Sequence, residues 1–421
     1  MRNALRPINT PLLPVAIVLV AVVAVVRMCM PEERRVADGQ WTEAVVASVP
    51  ADKPKTLQAD LLLTETGERR RCYIWKDERS LQLRAGDNLM VRISDGVFVR
   101  YDGWQRGGNG WSNISHLQRL RIKALVVRSR LLQRLQADDD DDEAQALIAA
   151  MVLGDKSALT PELRSRFNTT GAAHVLALSG LHLSIIYLLL TRLTRGRHRP
   201  WLSQGLIILA VWAYALLTGL PTSLIRAATM ITVYGLFSLR GSRRAPLNVL
   251  CFTAIVMLLV DSSALFDVGF QLSFMAMLAI LLFVPLMESR VPARWRMEHG
   301  MASWLVALAT VSVAAQLGTA PLVAYYFGRF SPWFLVTNII VIPLVTLILY
   351  SAIAALVFPP AATIAVSTAH LMNKALDTIS TWPLASIEGL HPSVLQVAMW
   401  YVVVAAVYVL LTYSRASAGY R

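Results

Sequence analysis

Two hydrophobic periods divide the chain. Between residues 40 and 104 the apolar positions come in short runs: Trp41–Val49, Leu57–Thr64, Arg71–Lys76, Asn88–Ser94 and Val97–Tyr101. Turn residues separate them, at Ala51-Asp52, Thr66-Gly67, Ala85-Gly86-Asp87 and Asp95-Gly96. The spacing predicts short strands closing into a small barrel of OB type. From Ala172 onward the runs lengthen, covering 174–191, 202–220, 222–239, 247–260, 265–286, 303–327, 333–357 and 395–413. Several approach the roughly 20 residues that cross a bilayer as a helix. An earlier run, Leu12–Val26, follows Arg2 and Arg6 and precedes Arg27, Met28 and Cys29. No small-x-small cleavage site follows it, so it predicts an uncleaved first span with its amino end inside.

Two stretches fit neither period. Leu117–Leu135 interleaves Leu, Ile and Val with Arg119, Arg121, Lys123, Arg128, Arg130 and Arg134. That is a basic amphipathic helix suited to an anionic membrane surface, which makes membrane lipid an expected partner. Residues 361–383 fit either a poor span or an amphipathic helix at the surface. The fold class expected is mostly α: a polytopic membrane helix bundle of about nine or ten spans, with a small OB-like β barrel inserted outside the membrane. Its parts are an anchor (1–30), the OB-like domain (31–110), amphipathic surface helices (111–171) and a transmembrane domain (172–421).

Composition supports a membrane protein. The chain has 421 residues, 55% of them hydrophobic, and a mean hydropathy of +0.51. Its net charge of +13 invites a nucleic-acid reading. The location of the charge weakens that inference. Residues 31–121 carry 15 basic and 13 acidic side chains, whereas residues 172–421 carry 15 basic and 6 acidic. Much of the excess sits in short loops, at Arg192–Arg199, Arg240–Arg244 and Arg290–Arg296, where the positive-inside rule accounts for it. If each run spans once, all three loops share the side of Arg2 and Arg6, and residues 30–172 lie outside the cytoplasm. Cys29, Cys72 and Cys251 show no zinc spacing. Cys29 and Cys72 fit either a disulfide or two separate thiols. The six carboxylates of Asp138–Glu143 fit either a cation site or the cap of the next helix, Ala144–Leu153.

The polar residues inside the spans carry the functional signal. With this topology His174, Ser179, Ser223, Arg226, Gln271 and Asn338 fall in the outer parts of their helices, and His182 and Gln316 near the middle. Gly180, Gly219-Leu220-Pro221, Gly318 with Pro321, and Pro343 interrupt the helices. Broken helices at membrane depth are tolerated where backbone lines a cavity or packs within protein. The set predicts a polar cavity opening outward, lined by His174, Ser179, Gly180, His182, Ser223, Arg226, Gln271, Gln316 and Asn338. Taken singly, each also fits an ordinary interhelical hydrogen bond, and Arg226 fits snorkelling. Ser179 and His182 share a helix face at i and i+3, a faint nucleophile pattern, but no base or orienting group lies in a matching span. No Walker A motif, dinucleotide fingerprint or metal cluster occurs, so no enzyme activity, cofactor or metal is expected. In the barrel Tyr73 and Trp75, at i and i+2, share one face of a strand. They fit either a base-stacking platform or packing in the core and across strands.

The stretch Gly154–Ile186 and four ordered blocks resemble the ComEC/Rec2 competence family. The blocks are Gly219–Ala227 (GLPTSLIRA), Asp267–Phe274 (DVGFQLSF), Ala315–Leu322 (AQLGTAPL) and Asn338–Leu344 (NIIVIPL). The resemblance covers roughly residues 120–410; the barrel's likeness to the family's amino-terminal OB-like domain rests on position and pattern. It implies an inner-membrane channel that passes single-stranded DNA into the cytoplasm during natural transformation, with the OB-like domain outside. The chain ends at Arg421 without the metallo-β-lactamase-like nuclease domain of longer members. A separate nuclease and a cytoplasmic ATP-driven translocase are therefore expected as partners, and a homo-oligomer stays open. The alternative is a membrane transporter or scaffold of the same fold with a non-DNA cargo.

Overall fold

The computed structural model describes residues 40–418 apart from 49, 53–54, 95–96, 136–141, 195–199 and 240–245. The expected first span, Cys29, most of the acidic run and two of the arginine loops lie largely outside the described residues. β1 (Trp41–Val46), β2 (Ala51–Asp52), β3 (Thr56–Leu63), β4 (Arg69–Trp75), β5 (Asn88–Ser94) and β6 (Phe98–Arg106) form one sheet in the order β1-β5-β6-β4-β3-β2. A further pairing of β1 with β3 closes five of the strands into a barrel. β4 and β6 run parallel and the other pairs antiparallel. This is the strand order of an OB-type Greek-key barrel. Alternation places Ala44, Leu61, Leu63, Cys72, Ile74, Leu89, Val91 and Val99 in its core. Cys72 is a free thiol, and burial pushes its pKa up to about 12.

The helices follow in chain order. A short α1 (Gly110–Asn113) leads into α2 (His116–Leu135), which bridges the barrel and the helical body. Ile122 packs with Val45, Ala47 and Leu62 of the barrel. On the body side, Arg121 donates to the Gly219 carbonyl at 2.9 Å. Buried Arg128 pairs with Asp155 at 3.6 Å. Leu120 and Val127 stay exposed. The expected surface helix is therefore amphipathic, but its inner face is occupied by protein.

α3 (Asp142–Ile148) continues as one π-helical turn, Ala149–Leu153, and ends at Gly154, whose positive φ suits glycine. α4 (Pro161–Thr169) is capped by Thr160 and followed by the short α5 (Ala173–Leu176). Then come α6 (Gly180–Leu193), α7 (Pro200–Leu217), α8 (Thr222–Leu239), α9 (Pro246–Val260), α10 (Val268–Glu288), the short α11 (Ala293–Glu298), α12 (Gly300–Phe327), α13 (Phe334–Ala355), α14 (Ala361–Ser380) and α15 (Val394–Ala418). Four helices among the described residues are long and apolar enough to cross a membrane: Val268–Glu288, Gly300–Phe327, Phe334–Ala355 and Val394–Tyr413. Gly180–Leu193, Trp201–Leu217, Thr222–Phe237 and Pro246–Val260 are apolar but shorter. A 15-residue helix extends about 22 Å, against about 30 Å of hydrocarbon.

α14 settles residues 361–383. It is amphipathic, and Ala365, Val366, Ala369, Met372, Leu376 and Ile379 bury one stripe against α3, α4 and α13. It is not among the helices apolar enough to span. The largest buried cluster also holds Leu147, Met151 and Phe167, so residues 142–169 belong to the core of the helical body.

One expected span is corrected. Residues 174–191 do not form a continuous helix: α5 stops at Leu176, Ala177–Ser179 is non-helical, and α6 starts at Gly180. Ala177 closes α5, and Ser179, in extended backbone, caps α6. Gly180 is thus the first residue of α6 and not a soft point inside a helix.

Candidate functional site

The polar residues of the helical body are gathered around the breaks in its helices. Ser179 and His182 form a capping box. The Ser179 hydroxyl accepts from the Leu181 N–H at 3.3 Å, and the Ser179 N–H donates to His182 Nδ1 at 3.3 Å. Acceptance at Nδ1 leaves the proton of the neutral ring on Nε2, which is fully buried and has no hydrogen-bond partner. Ser223, at the start of α8, donates to the Leu178 carbonyl in the same break. Gly180 faces Ala227 across the α6–α8 contact. His174 is exposed and sits 3.1 Å, through Nδ1, from the Gly171 carbonyl. The serine and the histidine therefore serve helix geometry.

A second group joins two of the motif blocks. Arg226 of α8 is buried, and its Nη1 lies 3.7 Å from Asp267 Oδ1. Asp267 also caps α10, accepting from the Phe270 N–H at 2.7 Å. A side chain at Gly269 would lie 3.4 Å from Arg226 Nη2, so glycine leaves room for the guanidinium. Two residues on, Gln271 donates to the Leu265 carbonyl at 3.0 Å and accepts from the Tyr326 hydroxyl at 2.7 Å. Arg226 is thus a buried, paired cation and does not snorkel.

The third and fourth blocks follow from close packing and proline. A Cβ at Gly318 would fall 2.4 Å from the Met275 carbonyl oxygen, so α12 and α10 touch backbone to backbone there. Pro321 has no N–H and frees the carbonyl four residues earlier. Trp400 Nε1 donates to that Leu317 carbonyl at 3.2 Å, and the Tyr401 hydroxyl to the Gly318 carbonyl at 2.8 Å. Gln316, the residue before Leu317 in α12, is half-buried. Asn338 is half-buried in α13, and its Oδ1, like the buried hydroxyl of the preceding Thr337, has no hydrogen-bond partner. The nine expected cavity residues are thus distributed over the first two groups, with Gln316 and Asn338 apart from both.

In the barrel, β4 alternates cleanly. Cys72 and Ile74 face the core, and Arg69, Arg71, Tyr73 and Trp75 face outward. The core reading of Tyr73 and Trp75 is thereby replaced. Tyr73 pairs across strands with the exposed Phe98 of β6, ring centres 5.8 Å apart. Beyond the arginine end of this face, a cleft of roughly 430 Å³ opens between the barrel and the body. It is lined by Asp60, Arg69, Arg71, Arg121 and the turn Thr218–Thr222. Gly219 and Leu220 both have positive φ, rare for a leucine, and together they turn the chain from α7 into α8.

Sequence reasoning missed the roles of Asp267, Gly269, Tyr326, Trp400 and Tyr401, of Arg121 on α2, and on the barrel of Arg69, Arg71 and Phe98. The signal for Arg69 and Arg71 was the period of two across Arg69–Trp75, which a strand begun at Arg71 cuts short.

A family model described as "Competence protein" matches residues 151–413, most of the chain. The chain belongs to the competence family. Among curated relatives, it is 26% identical over 291 residues to ComE operon protein 3 of Bacillus subtilis (strain 168), covering 68% of this chain and 35% of that protein. It is 26% identical over 243 residues to Competence protein ComA of Neisseria gonorrhoeae, covering 54% of this chain and 33% of that one. It is 23% identical over 298 residues to Recombination protein 2 of Haemophilus influenzae, with coverages of 68% and 37%. The chain thus spans about a third of the length of these relatives. No solved structure gives a significant match. The competence match covers all four motif blocks and the cleft's turn at 219–222, and it begins within the π-helical turn. Family membership and the four apolar helices make this a membrane protein.

Proposed function

We propose that this protein is part of the route by which single-stranded DNA enters the cytoplasm during natural transformation. In this reading the helical body is an inner-membrane passage and the barrel lies outside, on the side opposite the arginine loops. The observation that carries it is the outer face of β4. It presents Trp75, then Tyr73 beside Phe98, then Arg71 and Arg69, ending at the cleft against the helical body. Aromatic faces stack bases without regard to sequence, and cations alongside track the backbone. Family membership supports the same reading, as do relatives whose names refer to competence and recombination.

Passage differs from tight binding. A polyanion moves only if its contacts are several and individually weak. Arg226, buried and neutralised by Asp267, fits a wall that does not trap the strand. In this reading a nuclease and a cytoplasmic ATP-driven translocase act together with the passage. Deleting the gene in a transformable host should abolish entry of labelled DNA into the cytoplasm and leave its binding at the cell surface intact. Normal entry in the deletion strain would overturn the reading and favour another cargo.

A further inference from the structure

The cleft between barrel and body carries an excess of positive charge that nothing in its lining balances. Three guanidiniums, from Arg69, Arg71 and Arg121, share one carboxylate, Asp60. Arg69 Nη2 lies 2.7 Å from Asp60 Oδ2 and Arg71 Nε 3.4 Å from Oδ1, so both oxygens of that carboxylate are already engaged. Arg121 is left with a carbonyl, that of Gly219, and its Nε is buried without a partner. Burial lowers the Arg121 pKa and the neighbouring Arg69 lowers it further, opposed only by the attraction of the shared Asp60. The arginines come from separate elements, β4 and α2, Asp60 comes from β3, and the fourth wall is the backbone turn of the GLPTSLIR block. Four elements therefore converge on one open cleft.

We propose that this cleft is the hand-over point of the single strand, where one or two backbone phosphates are held between the barrel and the turn Gly219–Thr222. The inference rests on the transport reading given above and names the place where the strand leaves one module for the other. The chemistry fits a phosphodiester. Guanidiniums pair with its two unesterified oxygens in a planar fork. The residual charge is small enough to release it again. The site also lies in line with the stacking face: residues two apart on β4 are about 6.6 Å apart, so Trp75, Tyr73, Arg71 and Arg69 form an even series leading into the cleft. An anionic lipid headgroup would find the same arginines but would have no use for the aromatic end of the series.

The test uses the full chain in nanodiscs of zwitterionic lipid and a fluorescently labelled oligodeoxythymidine, with binding followed by anisotropy over a range of salt. The wild type should bind with a negative log–log salt slope. R69Q/R71Q should weaken binding and flatten that slope by about 0.7 for each phosphate that is no longer neutralised. Asp60→Asn, which removes the cleft's carboxylate, should tighten binding and steepen the slope, a gain that misfolding does not produce. Unchanged affinity and slope in both variants, with a wild type that binds, would overturn the hand-over site and leave the transport reading standing. A wild type that does not bind the oligonucleotide at all would overturn the transport reading itself. If the variants lose only retention on vesicles containing phosphatidylglycerol, the cleft is a lipid site and the proposal fails.

Discussion

The barrel and the helical body use polar side chains in opposite ways. On β4, arginines and half-buried aromatic rings stand outward over a mainly apolar core, with Arg69 and Arg71 exposed. In the body, Ser179, His182, Ser223, Arg226, Asp267, Gln271 and Tyr326 are engaged with backbone groups or with one another, at places where helices begin or break. The difference follows from solvent. A barrel outside the membrane can leave a polar face to water, and that face is free to bind. A helical body in hydrocarbon cannot leave carbonyls bare, so its polar side chains go first to closing its own interruptions. Polarity at membrane depth is therefore weaker support for a binding role than polarity on the barrel surface.

Substitutions can test that contrast. In the body, Gly318→Leu should eliminate folded protein, because any side chain meets the Met275 carbonyl; Gly318→Ala should cost about 3 kcal/mol. Detergent-solubilised yield and the unfolding midpoint would measure both. Next, Asp267→Ala should cost about 3 kcal/mol, since it strands the Arg226 guanidinium in the interior and removes a helix cap. Arg226→Met should cost less, because its surviving partner, Asp267, has a half-exposed side chain. Equal losses for the two would mean that the pair is not the stabilising unit. On the barrel, Tyr73→Ala with Trp75→Ala should lower oligonucleotide affinity by about 1–3 kcal/mol per stacked base. The unfolding midpoint should hardly move, because neither ring is in the core. A collapsed midpoint would erase the contrast. The smallest effect is expected from Trp400→Phe or Tyr401→Phe, about 1 kcal/mol each for a carbonyl left without its donor.

Much of the architecture was legible from periodicity. The change from short alternating runs to long apolar ones marked the two modules, and the five strands fell close to their expected places. Their pairing was not legible, since the β4–β6 and β1–β5 neighbours are distant in sequence. The break at Ala177–Ser179 was hidden because both sides of it are apolar. Only the serine's capping habit, with His182 in the position usually taken by Glu or Gln, gives it away. Arg226 was visible as an oddity in a span, but its partner was not. Asp267 is 41 positions away by sequence number, and it reads first as a loop residue. The cleft was the least legible feature. Its arginines come from a strand and a helix whose outward faces look like ordinary solvated surface until the fold sets them against Gly219–Thr222.

The donors that Trp400 and Tyr401 offer to α12 also bear on the order of events during synthesis. Pro321 leaves α12 with a bare carbonyl from the moment it enters the bilayer. The two side chains that cover this region are made some 80 residues later. Until α15 has been inserted, α12 is unfinished and attractive to any other donor in the membrane. α15 is then the element that completes α12, and a ribosome stalled before residue 394 would leave a product for membrane quality control to recognise by its exposed Leu317 carbonyl.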